Sequence, residues 1–396
     1  MNDPAKARLE ALAHRGIEAL RRGDATAARQ AFAAIADSGR AGAQVWLFLA
    51  QACDMADDRA AARAALAQVL RLDPGNPYAL VMHGELLTRD GDDRAAVSWY
   101  NRVLATTAGM TGLSADLVER LQRAEVARGA AFARFRRRMN SALADAGIDA
   151  AAAGPRFAES LAIVAGEASP CLQEPTSFYF PGLPQKTFYD PADFAWVPTL
   201  VAATAAITAE IGAVLADRAG MAPYVEAPKD RPAQPHSLLD DPRWSAFHLW
   251  QSGEPVAANA ARCPATMAAL AEITGLAAGT AGPIPIIEHR SPMILFSVLE
   301  PGTHIEPHNG MLNTRLICHL PLVVPAGCRL RVGNDTRNVR AGEMLIFDDS
   351  IEHEAWNDSG EIRAILLFEI WRPELTEAER RALTVMFESV TGYGEG

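Results

Sequence analysis

Small and large apolar residues recur along the first hundred positions with the spacing of paired amphipathic helices. Gly16, Ala50 and Gly84 are spaced by 34 residues, and so are Ala28, Ala62 and Ala96. Phe32, Leu66 and Tyr100 follow at the same step, as do Asp24, Asp58 and Asp92. Small residues let two helices approach closely where they cross, and the large residue fills the groove alongside. Gly-Asp or Asp-Asp dipeptides at 23–24, 57–58 and 91–92 mark the turn between the helices of each pair.

A 34-residue step with this pattern is the tetratricopeptide signature, and Trp46, Leu49 and Pro74 fall where the second copy needs them. Residues 113–148 continue helical, with Leu117, Val118, Leu121, Ala124 and Val126 among Arg and Glu, and predict a capping helix or two. Proline and glycine then interrupt the pattern at 151–155 and at 170–184. From about residue 173 the texture changes. One helix is expected from Trp196 to Arg218, with Leu200, Ile207, Ile211 and Leu215 on one face, and another from Cys263 to Gly275. After Pro283 the pattern predicts short strands at 293–299, 315–324, 329–332, 343–347 and 363–371. Pro301-Gly302, Asn309-Gly310, Gly333-Asn334 and Ala341-Gly342 supply turn signals between them. The expected class is α + β and multidomain: an α-solenoid over 1–110, a helical cap and linker over 111–172, and a sandwich or jelly roll over 173–396.

Composition narrows the partners. The 396 residues are 49% hydrophobic and 21% charged, enough to bury real cores. A net charge of -11 argues against nucleic acid and against an anionic membrane surface. No charge-free apolar run reaches the ~18 residues a membrane span needs. The start, Met1-Asn2-Asp3-Pro4 with Lys6, Arg8 and Glu10, lacks the apolar core of a signal peptide. The 5 cysteines are scattered and form no CxxC pair, which suits reduced thiols and a cytoplasmic setting.

The chemistry concentrates late in the chain. His304, His308, His319 and His353 lie within fifty residues of one another, and neutral imidazole suits divalent iron. His308-Asn309-Gly310 has glycine where a His-x-Asp/Glu pair would place a carboxylate. His353 follows inside Asp348-Asp349-Ser350-Ile351-Glu352-His353-Glu354, and Arg363 opens the apolar run Ile365-Leu366-Leu367-Phe368. A guanidinium on such a strand needs an anionic partner, and a dicarboxylate is the natural one. Even spacing and Pro307 put His304 and His308 on the same face of an extended segment, with His304 lining the pocket behind the ligands. Asp348 and Asp349 read as a turn-forming pair before Ser350. Glu352 and Glu354 flank His353, where one of them orients its imidazole or both face solvent. His14, His83, His236, His248 and His289 read as structural.

Several motifs then coincide. They are Phe180-Pro181-Gly182-Leu183-Pro184; Phe296-Ser297-Val298-Leu299-Glu300-Pro301-Gly302-Thr303-His304; and Pro307-His308-Asn309-Gly310. They continue in Asn313-Thr314-Arg315-Leu316-Ile317-Cys318-His319-Leu320, Leu345-Ile346-Phe347-Asp348-Asp349-Ser350 and Trp371-Arg372-Pro373-Glu374-Leu375. Over residues 175–380 the chain resembles the aspartyl/asparaginyl β-hydroxylase family, whose animal members also carry tetratricopeptide repeats. The resemblance implies a double-stranded β-helix that uses Fe(II), 2-oxoglutarate and O2, with succinate and CO2 as coproducts and iron held by two histidines. Carried over by position, His308 and His353 would hold the metal, and Arg363 and Ser297 the distal carboxylate of 2-oxoglutarate. His319 would lie near its chelating end, and Arg315 would line the pocket. Ile317 stands where animal members have arginine. The implied reaction is hydroxylation of the β-carbon of Asp or Asn in a protein or peptide held by the repeats. Two alternatives are the same chemistry on a small molecule, peptide natural product or lipid-linked substrate, and a non-catalytic repeat-based adaptor.

Overall fold

The computed structural model describes residues 4–149, 152–227, 232, 236–274 and 282–392. Ala151 in the expected break and Gly275 at the expected helix end lie outside them. Two compact units divide the chain, Met1–Ala168 and Ser169–Gly396.

The first unit is a stack of helical pairs: Pro4–Arg21 with Ala25–Asp37, Ala43–Met55 with Arg59–Leu72, and Pro77–Arg89 with Asp93–Thr107. The repeated aspartates cap the second helix of each pair. Asp24, Asp58 and Asp92 accept from the amides of Ala27, Ala61 and Ala95, each at 3.0 Å, which satisfies donors that the first turn leaves free. The small positions are small for a visible reason. A Cβ at Gly16 would lie 2.6 Å from the Phe32 ring, and one at Gly84 would overlap the ring of Tyr100. Where the partner is the slimmer Leu66, the repeat carries Ala50, and both are fully buried. The expected cap is one helix, Ala115–Asp145, burying only Leu117, Ala124 and Ala131. It is followed by Pro155–Val164.

The second unit has three layers. Helices Val197–Ala202, Thr204–Asp217 and Pro264–Thr274 cover one face of a large sheet, and the core between them gathers Leu200, Ile207, Ile211, Phe296, Leu366 and Phe368. The predicted helix over 196–218 is thus two helices, ending at Arg218 in the left-handed conformation. The large sheet runs in the order Phe188–Tyr189, Leu345–Phe347, Arg315–Val323, Arg363–Trp371, Ile294–Leu299, Trp244–Gln251, Ala222–Pro223, and a smaller one orders Thr303–His308, His353–Asn357, Cys328–Val332, Asp335–Asn338. From Ile294 to Trp371 the main strands alternate between the two sheets, which is the winding of a double-stranded β-helix. A second core, including Leu295, Leu299, Ile305, Leu330, Ala355, Ile365 and Leu367, fills the space between the sheets.

Besides three two-residue strands, four longer ones among the described residues were not expected from the pattern: Trp244–Gln251, Thr303–His308, Asp335–Asn338 and His353–Asn357. Two of them carry the histidines of the site. Asn309-Gly310 is also not a hairpin turn. The Gly310 amide donates to the Asp349 carbonyl at 2.6 Å, and its missing side chain makes room for the Asp349 carboxylate.

Candidate active site

His308 ends one strand of the smaller sheet and His353 begins its neighbour, directly opposite in register. Their rings are 4.1 Å apart. Each Nδ1 faces a carbonyl two residues back, Glu306 at 2.8 Å for His308 and Ile351 at 3.0 Å for His353. A carbonyl only accepts, so each Nδ1 carries the hydrogen and each Nε2 keeps its lone pair. Burial lowers the pKa of His308 and, with His308 beside it, brings that of His353 down to about 3. Both rings are therefore neutral donors at neutral pH. Among the described residues no group of three or more His, Cys, Asp or Glu is arranged to hold a metal.

The inner face of the large sheet supplies the rest. Arg363 pairs with Leu299 and Ile365 with Ser297, so Arg363 and Ser297 share one face two rows apart. Arg363 is 2% exposed, its Nε has no partner, and no ion pair reaches its guanidinium among the described residues. Burial brings its pKa down to about 10, still well above neutral, so an uncompensated cation waits for an anion. His319, on the same face, packs edge-on against Phe347 at 4.9 Å. Burial, then Arg363, holds it well below its usual value, and its Nδ1 has no partner.

Arg315 also faces inward but is already engaged, with Glu369 and with Asp349 at 3.3 Å. Burial opposes its charge, yet the two carboxylates outweigh that and raise its pKa. Burial raises the Asp349 pKa to about 6. Ile317 lies directly opposite Glu369 in register.

Sequence reasoning missed three aromatic residues. The Trp244 indole N–H donates to Ser297 Oγ at 3.1 Å, and its ring stacks on Tyr224 at 4.0 Å. His236, read as structural, has its ring 6.4 Å from that of His308, with Nδ1 accepting from the Leu238 amide at 3.0 Å. The apolar run 244–250, between Asp241-Pro242 and Ser252-Gly253, was the one signal that marked the strand carrying Trp244.

His304 requires a correction. Pairs His308↔His353 and Ile305↔Ala355 place three steps of one strand against two of the other, a bulge that reverses the alternation. His304 consequently faces away from His308. It stacks on Trp356 at 4.9 Å and bonds Glu354 at 2.8 Å. Glu352 and Glu354 both pair with Arg331, so the Ile351 carbonyl, and neither glutamate, orients His353. Asp348 does form the expected turn, accepting from the Ser350 amide at 3.0 Å and hydroxyl at 2.6 Å, and it also holds the fully buried Arg372 at 2.7 Å.

Residues 202–373 match the profile of the family described as "Aspartyl/Asparaginyl beta-hydroxylase". The chain is 40% identical over 151 residues to the aspartyl/asparaginyl beta-hydroxylase of Mus musculus, covering 37% of this chain and 19% of that protein. It is 33% identical over 224 residues to aspartate beta-hydroxylase domain-containing protein 1 of Mus musculus, covering 54% of this chain and 56% of that one. It is 32% identical over 188 residues to the ornithine lipid ester-linked acyl 2-hydroxylase of Rhizobium tropici, covering 47% of this chain and 60% of the relative. The chain thus spans about a fifth of the first relative and a little over half of the other two. Among solved structures, the Yersinia enterocolitica type III secretion chaperone SycD with a peptide of the translocator YopD matches at 17% identity and TM-score 0.29, over 32% of this chain and 93% of that one. The imidazole pair and Arg363 thus lie within the segment that is similar to the aspartyl/asparaginyl beta-hydroxylase family.

Proposed function

We propose that the chain is an Fe(II)- and 2-oxoglutarate-dependent dioxygenase that hydroxylates the β-carbon of Asp or Asn in a protein or peptide. The observation that carries this reading is the pairing of two neutral imidazoles, lone pairs at Nε2, with a buried arginine that has no ion-pair partner among the described residues. The donor set fits the group: nitrogen ligands suit Fe(II), and few protein ligands leave positions for cosubstrate and oxygen. His308 and His353 would hold the iron. Arg363 would clamp the distal carboxylate of 2-oxoglutarate. Ser297, accepting from Trp244, keeps its own hydroxyl proton free to donate to the same carboxylate. His319 would sit near the chelating end, and Arg315, tied to Asp349 and Glu369, would stiffen the pocket wall. When bound, iron would activate O2, the oxidant, with 2-oxoglutarate as the reductant that leaves as succinate and CO2, and so supply the power to cleave an unactivated C–H bond; the chain's residues orient the reactants and keep water out.

In this reading residues 173–396 are catalytic, 111–172 cap and link, and the repeats of 1–110 hold the polypeptide substrate. A lipid acyl chain as substrate is the second reading, favoured by the match to the ornithine lipid acyl 2-hydroxylase. Fe(II)-dependent conversion of 2-oxoglutarate to succinate, lost in His308→Ala and His353→Ala, tests the chemistry. A one-oxygen mass increase on Asp or Asn of a captured protein supports the first substrate class; the same increase on a lipid acyl chain selects the second.

A further inference from the structure

Arg290 lies half-buried in the connection that precedes the strand Ile294–Leu299, its guanidinium carbon 4.4 Å from the centre of the Phe387 ring. That connection runs beside the candidate site. The Trp371 amide donates to the Pro283 carbonyl at 2.7 Å, and Trp371 pairs in register with Arg315. Arg290 is also close enough to Arg315 and Glu369 for both charges to act on it.

The two arginines are used differently. Arg315 spends its fork on Asp349 and Glu369. Among the described residues the Arg290 guanidinium has no hydrogen bond and no ion pair, although it carries five donors and stays charged. Its aromatic platform is firm: Phe387 is 3% exposed and is met edge-on by Phe178 at 5.3 Å. Stacking fixes the plane of the guanidinium while leaving its edge donors available. A planar fork matches the two oxygens of a carboxylate. A phosphate dianion would be opposed by Glu369 and Asp349, whose charges Arg315 already shares.

We propose that Arg290 anchors a carboxylate on the non-reacting part of the substrate, on the Arg315 side of the imidazole pair. This rests on the reading of His308 and His353 as the reaction centre. The carboxylate belongs to an acidic residue near the residue to be hydroxylated.

The test titrates the full chain with pentapeptides that have a central Asp and a Glu at each other position in turn, against the all-Gln counterpart. Arg290→Met and Arg290→Lys are compared with wild type, and melting temperature reports folding. At one position the Glu peptide is expected to bind wild type ~10-fold more tightly than its Gln counterpart. Arg290→Met loses that preference and Arg290→Lys recovers part of it. The proposal is overturned if wild type shows no Glu preference at any position, or if Arg290→Met keeps it. It is overturned equally if phosphoethanolamine, and not the peptides, is the probe whose binding the substitution weakens. Wild type that binds neither Fe(II) nor 2-oxoglutarate sinks the reading of the reaction centre instead, which separates the two failures.

Discussion

The carboxylate of Asp349 occupies the space beside Gly310 that any side chain at position 310 would need. The absent carboxylate of the His308-Asn309-Gly310 segment is therefore no simple vacancy to refill. Gly310→Asp is expected to lower stability by about 1–3 kcal/mol, as overpacking of a filled site does, without raising iron affinity. Thermal melting and anaerobic Fe(II) titration check both parts. Tighter iron binding at unchanged stability would show that the site accepts a third ligand at this position.

Trp244→Phe keeps an aromatic ring beside Tyr224 but removes the N–H that Ser297 accepts, together with part of the buried indole volume. The Ser297 hydroxyl is then free to turn away from the ligand. A lost hydrogen bond of about 1 kcal/mol corresponds to a KM for 2-oxoglutarate raised ~5-fold, with kcat nearly unchanged. A fall in kcat at constant KM would place Trp244 in the chemistry rather than in positioning.

His353 makes the stability of the metal-free chain depend on pH. Its folded pKa of about 3 lies below its ordinary 6.5, so between these values the unfolded chain takes up a proton that the folded one refuses. The contribution is fully present above 6.5 and is lost as pH falls toward 3. Asp349, raised from 3.8 to about 6, acts in the opposite direction as pH rises through that window. His353→Asn should therefore show a shallower loss of melting temperature from pH 6.5 to pH 4 than wild type. Parallel curves would mean that the ring is not buried neutral.

In the repeats, two substitutions separate capping from packing. Asp92→Ala removes the cap on Asp93–Thr107 and should cost about 1 kcal/mol. Gly84→Ala forces a Cβ into the Tyr100 ring and should cost about 1–3 kcal/mol. Hydrogen exchange over residues 77–107 reads both. Unchanged protection in Gly84→Ala would mean that the ring moves aside freely.

The repeats were legible because their packing depends on a local period: Asp92 caps its own helix, and Gly84 meets Tyr100 on the partner helix of the same pair. The motifs around His308, His353 and Arg363 gave the site its candidates in order. Their faces were less legible. Alternation along Thr303–His308 is broken by a bulge whose existence depends on register with His353–Asn357, a distant segment. The strand of Trp244 reads as an apolar run with no chemistry of its own until the fold brings its indole to Ser297. His236 and Arg290 are single polar residues whose meaning comes entirely from neighbours far along the chain.

The proposed two-histidine iron centre is tested most directly by anaerobic Fe(II) titration with metal analysis of wild type, His308→Ala, His353→Ala and Asp349→Asn. The expected result is one iron per chain in wild type, none above background in either histidine variant, and iron retained in Asp349→Asn. Iron retained without the histidines, or lost with Asp349 alone, would contradict it.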